Sequence, residues 1–183
     1  MRLGSILSAA ALLVAGTSAF AQSTTLPSQN VGARVVVPIV ITKDNTATPQ
    51  VDGQDLYFGR FLSPAAAGTI TLTPANAASF TGGVSTTLNN TTPRYNITAS
   101  NNMVLSVAIA FPANVSNGAQ TMVVSSPRFS VQGAAGVGTA SGGTFTYNTS
   151  TANYFLIGGT LAVAASQADG LYTNTYSVTV AYN

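Results

Sequence analysis

From Thr175 to Tyr182 the chain alternates without a break. Tyr176, Val178, Val180 and Tyr182 fall on one face, and Thr175, Ser177, Thr179 and Ala181 on the other. A period of two is the signature of a strand with one face on a core and one on water. Upstream, the run from Tyr154 reads as a second strand, and Gln167-Ala168-Asp169-Gly170-Leu171-Tyr172 as the corner joining the two. Gly170 stands two residues before Tyr172. In β-sandwiches a tyrosine so placed turns its hydroxyl back onto the backbone and locks the corner. Gly170 and Tyr172 are therefore the expected fold-defining pair.

The same alternation recurs near the start. Val31, Ala33, Val35, Val37, Ile39 and Ile41 occupy every odd position from 31 to 41. The pattern predicts one long strand. Pro38 has no N–H for a ladder, so the strand belongs at an edge or breaks there. Two accounts of these six side chains stand side by side. The strand is either the first of its own sandwich, or a donor that completes another subunit.

Between these ends the strand signals are short and bounded by turns. They fall at Thr69–Thr73, Tyr95–Thr98, Met103–Phe111, Thr121–Ser125, Arg128–Gln132 and Thr144–Tyr147. Residues 76–93 are rich in Thr, Asn, Ser and Gly and read as weak strand and loop, and 133–143 as a small-residue loop. No segment combines a helical period with a capping signal. Many short strands at turn-bounded spacing indicate an all-β sandwich or barrel. The barrel is disfavoured, because an outer-membrane barrel carries aromatic girdles and regular strands.

Residues 1–21 read as a signal peptide. Arg2 supplies the positive start, Ile6–Ala15 the apolar run, and Ala19-Phe20-Ala21 the small-x-small cleavage pattern. Cleavage is expected between Ala21 and Gln22. The remainder, 22–183, is the length of one domain, with 22–42 as its N-terminal segment. The apolar run is shorter than a bilayer span, and no later segment supplies one, so no transmembrane segment is expected in the mature chain.

The composition removes whole classes of chemistry. Charged residues make up 5% of the chain, and Glu, His, Cys and Trp are absent. Without His or Cys there is no Ser–His–Asp triad, no Cys–His pair and no nitrogen–sulfur metal site. Lys43 is the only lysine and lacks the S-x-x-K context of a serine–lysine dyad. Asp44, Asp52 and Asp55 lie close in sequence, but their spacing is not that of a calcium loop. Asp and Asn are ordinary turn formers. The glycines of 133–143 lack the following G-K-[ST] and the helix that a phosphate loop requires. The expectation is a non-enzyme without cofactor or metal. Arg34, Lys43, Arg60, Arg94 and Arg128 are scattered, whereas a nucleic-acid partner needs clustered cations. A near-neutral surface favours association of like copies. Tyr57, Tyr147, Tyr154 and Tyr172 are the aromatics available to a sugar-binding surface.

The pattern Tyr154-x-x-x-Gly158-Gly159-Thr160-Leu161, Gln167, Gly170-x-Tyr172, Thr175, Val178-x-Val180-x-Tyr182 resembles the end of an uncharacterised family of secreted bacterial domains. That family is similar to spore coat protein U and to pilin subunits of the chaperone–usher class. Ile41-Thr42-Lys43, Leu56-x-Phe58-Gly59 and Gly68-Thr69-Ile70-Thr71-Leu72 fit the same pattern in the same order. Spore coat U and many pilins carry a cysteine pair that this chain lacks. The resemblance implies an immunoglobulin-like, pilin- or adhesin-like sandwich, placed in the periplasm, at the cell surface or in an extracellular fibre. It implies self-association, with a periplasmic chaperone and an outer-membrane usher as partners. By analogy with tyrosine-corner domains, Thr173–Tyr182 is then a penultimate-type strand that leaves one edge of the sandwich open. The expected function is a structural, self-associating surface-fibre or coat subunit. The alternative is a monomeric secreted adhesin or carbohydrate-binding module.

Overall fold

One strand, β9 (Tyr154–Val163), holds the larger sheet together. The computed structural model describes residues 32–131 and 142–183. The leader, its Ala21–Gln22 junction, Val31 and most of the loop expected at 133–143 lie outside the described residues. The chain divides into Met1–Arg34 and Val35–Asn183, and every strand among the described residues belongs to the second unit.

Along one side of β9, residues Tyr154–Leu156 pair with β4 (Arg94–Thr98), and Gly159–Val163 pair with β2 (Gly68–Leu72). Its other side pairs with β7 (Thr121–Val131). β1 (Val40–Lys43) extends the sheet beyond β4, β3 (Ala78–Gly82) beyond β2, and β6 (Asn114–Ser116) beyond β7. All these pairings are antiparallel. The second sheet has three strands in the order β10 (Ser177–Tyr182), β5 (Val104–Ala110), β8 (Gly142–Thr146). The protein is an all-β antiparallel sandwich. Among the described residues no helix is long and apolar enough to cross a membrane.

The alternation seen in the sequence becomes the inner face. On β5, Leu105, Val107 and Ile109 are buried while Val104, Ala108 and Ala110 are exposed. On β9, Phe155, Ile157, Leu161 and Val163 point inward. Burying each such side chain contributes about 1.5–3 kcal/mol. Gly159 makes the packing between them feasible. A Cβ there would meet the Phe111 ring at 2.6 Å, closer than carbon atoms approach, so glycine lets that ring lie on the strand.

Two cores result. One gathers Leu105, Val107, Ile109, Phe129, Phe155 and Ile157 between the sheets. The other gathers Ile70, Leu72, Met122, Val124, Leu161 and Val163 on the larger sheet, where the partly buried Leu56 and Phe61 and the buried Phe58 cover it. The backbone ties of the 56–61 stretch to the rest of the fold are isolated bridges, Tyr57 to Thr91 and Arg60 to Leu88.

Several sequence expectations need correction. The strand expected over Val31–Ile41 is paired only from Val40, because Pro38 cannot donate to β4; residues 32–39 carry no ladder. The two strands expected on either side of Pro127 are one strand, β7. Its register shifts between Ser125 and Arg128, and Ser126 adopts a φ of 49°. A bulge is where a sheet accommodates a proline. The weak region 76–93 contains β3, and Gly142 and Gly143 of the expected loop lie in β8. β10 begins at Ser177, four residues after the expected start, since Thr173 bridges to Ser116 instead.

Candidate functional site

β10 pairs with β5 on one side, and among the described residues no strand pairs with the other. β1 likewise pairs only with β4. Both free edges border the same core. Ile39 and Ile41 from the β1 side, and Tyr176 just ahead of β10 with Val178, Val180 and Tyr182 on it, are partly buried against it. The β5 partners of Val178, Val180 and Tyr182, namely Ile109, Val107 and Leu105, are buried. The difference marks an open seam: the outermost strand of a sheet buries its inner face incompletely when nothing lies beside it.

Two side-chain contacts bridge the seam. Tyr95 and Tyr176 join their hydroxyls. Burial raises the pKa of both phenols, so both keep their protons and one donates to the other. At the far end, Tyr182 donates its hydroxyl to the Val37 carbonyl at 2.6 Å and accepts the Ser100 N–H at 2.9 Å. The Val37 N–H donates in turn to the Ser100 hydroxyl at 2.8 Å.

Of the six residues expected to form an assembly strand, Ile39 and Ile41 meet the core. Ala33, Val35 and Val37 do not: Val35 is 96% exposed and Val37 51%. Together with Val36 they make an apolar stretch in solvent ahead of β1.

Beyond Tyr95 and Tyr176 the seam opens into a groove of about 570 Å³. Met122, Val124 and Leu161 form its floor, residues 53–61 one wall, and 167–176 the other. Leu171, half exposed, stands on the second wall, and Leu62, 89% exposed, adjoins the first. Of the four tyrosines available to a sugar surface, Tyr57 and Tyr172 line this groove. Tyr147 is buried, and Tyr154 lies under the Arg94 guanidinium at 3.8 Å.

The walls are built by different means. The second is the corner. Tyr172 donates its hydroxyl to the Ala168 carbonyl at 2.9 Å and accepts from the Gln167 amide at 2.8 Å. Gly170 turns it at a φ of 141°, with Asn117 packed where a Cβ would stand. The first wall is pinned by charge. Asp52 takes a bidentate contact from Arg60 and a hydroxyl bond from Tyr57. Those bonds, Arg60 first, hold its carboxyl below the usual range. Asp55 pairs with Lys43 at 3.1 Å, and Asp44 with Arg94 at 3.4 Å. Asp44 is lowered chiefly by the Ala47 N–H. The three acids weighed as a calcium cluster are therefore each matched to a cation of the chain. Sequence reading missed the groove, whose walls and floor come from segments far apart in the chain.

No curated protein and no solved structure matches this chain. One family does: residues 46–182, from the pinned wall through β10, match the family described as a domain of unknown function, DUF4402. The chain belongs to that family.

Proposed function

We propose that this protein is a non-enzymatic, secreted structural subunit of immunoglobulin-like type that associates with copies of itself in a surface fibre, pilus-like assembly or coat. One observation carries the reading: an incompletely covered inner face along β10 coexists with an exposed apolar stretch, Val35–Val37, on the same chain. An extended segment laid beside β10 gains backbone hydrogen bonds along the free edge and buries alternate side chains in the seam. Val31, Ala33 and Val35 offer that alternation from a neighbouring copy, with Val37 at the root of the segment and Ile39 and Ile41 seated on their own core. A periplasmic chaperone and an outer-membrane usher are the partners such a subunit would use during export.

Replacing Val35 and Val37 with Asp tests this. The variant is expected to keep its melting temperature, because exposed sites tolerate substitution within about 0.5 kcal/mol. It is expected to fail to form the oligomers that the wild-type mature chain forms on size exclusion. A peptide of residues 29–42 should bind wild-type subunits and block their growth. A variant that associates like the wild type overturns the reading.

The groove favours a second reading, a carbohydrate-binding module, because Tyr57 and Tyr172 both line it. Retention of a clean monomer on a glycan column, lost in Tyr57→Ala, would support that reading.

A further inference from the structure

The three hydrogen bonds joining Val37, Ser100 and Tyr182 form a closed ring. Val37 N–H goes to the Ser100 hydroxyl, Ser100 N–H to the Tyr182 hydroxyl, and the Tyr182 hydroxyl to the Val37 carbonyl. Both backbone groups of Val37 are thereby taken by side chains. This happens where the β1–β4 ladder has already ended. The last paired residues are Val40 and Thr98, and Pro38, lacking an N–H, stands between that pair and Val37. Side-chain bonds thus replace a ladder that the proline prevents.

The position of the ring gives it a consequence. Tyr182 is the last residue of β10, at one end of the seam, and Val37 is where the exposed apolar stretch begins. A stretch rooted beside the end of its own seam can fold back along β10 and fill it. In doing so it would need the Val37 N–H and C=O for the β10 edge. The ring holds both groups elsewhere.

We propose that the Val37–Ser100–Tyr182 ring is a self-capping lock: it keeps the chain's own apolar stretch out of its own seam, so that the seam stays open to another copy. The inference rests on the assembly reading above and adds its regulation. Tyr182 and Ser100 act here as positioning residues, since their hydroxyls touch the root of the stretch and not the incoming strand.

Tyr182→Phe keeps the ring in the seam and removes the hydroxyl. Ser100→Ala breaks the same lock without touching β10. The probe is the synthetic peptide of residues 29–42, and the readout is its binding to the full mature chain, with hydrogen exchange of the Val37 amide followed in parallel. Each variant loses one or two ordinary hydrogen bonds, so self-capping should gain about five-fold per bond lost. Peptide uptake is expected to fall about five-fold in Ser100→Ala, which loses one bond, and about 25-fold in Tyr182→Phe, which loses two, with more chain remaining monomeric. In Ser100→Ala, which removes the acceptor of the Val37 N–H, that amide should exchange as a lone exposed amide while the seam is empty and slowly once the stretch fills it. If the wild type takes up the peptide and both variants match it, this inference is overturned and the assembly reading stands. If the wild type ignores the peptide although its Val37 amide is protected, the assembly reading falls, and the lock falls with it.

Discussion

The hydroxyls of Tyr95, on β4, and Tyr176, just ahead of β10, meet 2.5 Å apart. Each ring is also held from the side. Tyr95 stacks on Phe155 at 5.2 Å, and Tyr176 meets Phe111 edge-on at 5.7 Å. The pair marks where the seam gives way to the groove, and it sets the spacing of the two sheets there.

Removing one of these hydroxyls leaves the other, partly buried, without its partner. Tyr176→Phe is expected to cost about 1–3 kcal/mol, the penalty for an orphaned polar group. Replacing both tyrosines with Phe removes the orphan along with the bond, and should recover most of that loss. Thermal melts of the two single variants and the double variant test this. A double variant less stable than either single one would contradict it.

Gly159→Ala places a methyl against the Phe111 ring, which would sit 2.6 Å from the new Cβ. Overpacking of this kind costs about 1–3 kcal/mol. Chemical denaturation of the variant should show a lower midpoint. Combining it with Phe111→Leu, which frees space, should give less than the sum of the two separate losses.

Tyr172→Phe removes the bond to the Ala168 carbonyl and strips the buried Gln167 amide of its partner. The expected loss is about 1–2 kcal/mol. Hydrogen exchange should speed up around residues 164–175 and stay unchanged in β5. A uniform increase across the molecule would show that the corner is not a local lock.

The wall at 44–60 should weaken in acid. Arg60 and Tyr57 hold the Asp52 carboxyl below its ordinary value of 3.8. A group whose pKa is depressed by folding contributes stability above its unfolded value and loses it as pH falls through the folded one. Lowering the pH from 6 toward 3 should therefore destabilise the wild type. Asp52→Asn should flatten part of that slope while lowering stability at pH 6. The contacts are exposed, so the effect should be small and should shrink in salt. Equal pH slopes in the two proteins would rule Asp52 out as a source.

What could be read without a structure was local. Alternation at Leu105, Val107 and Ile109, and at Val178, Val180 and Tyr182, assigns inner and outer faces because a strand's side chains repeat every two residues. The corner was legible for the same reason: Ala168, Gly170 and Tyr172 lie within one turn of each other. The all-β class followed from many such runs and from the lack of helical period. Two prolines, Pro38 and Pro127, interrupt strand patterns in the sequence, but their consequences differ. Pro38 ends pairing with β4, whereas Pro127 is absorbed in a bulge, because β9 supplies a long partner on which β7 can resume.

The sequence by itself determined the all-β class, the inner faces of β5 and β10 and the corner, since each depends on residues within a few positions of one another. The tertiary structure alone decided that Tyr95 meets Tyr176, that Tyr182 reaches back to Val37, and that residues 53–61 and 167–176 become facing walls. These partners are separated by 81 to 145 positions in the two hydroxyl contacts. No local pattern encodes such a meeting. It follows from which strands β9 and β5 pair with, and that choice is made by the whole buried surface at once.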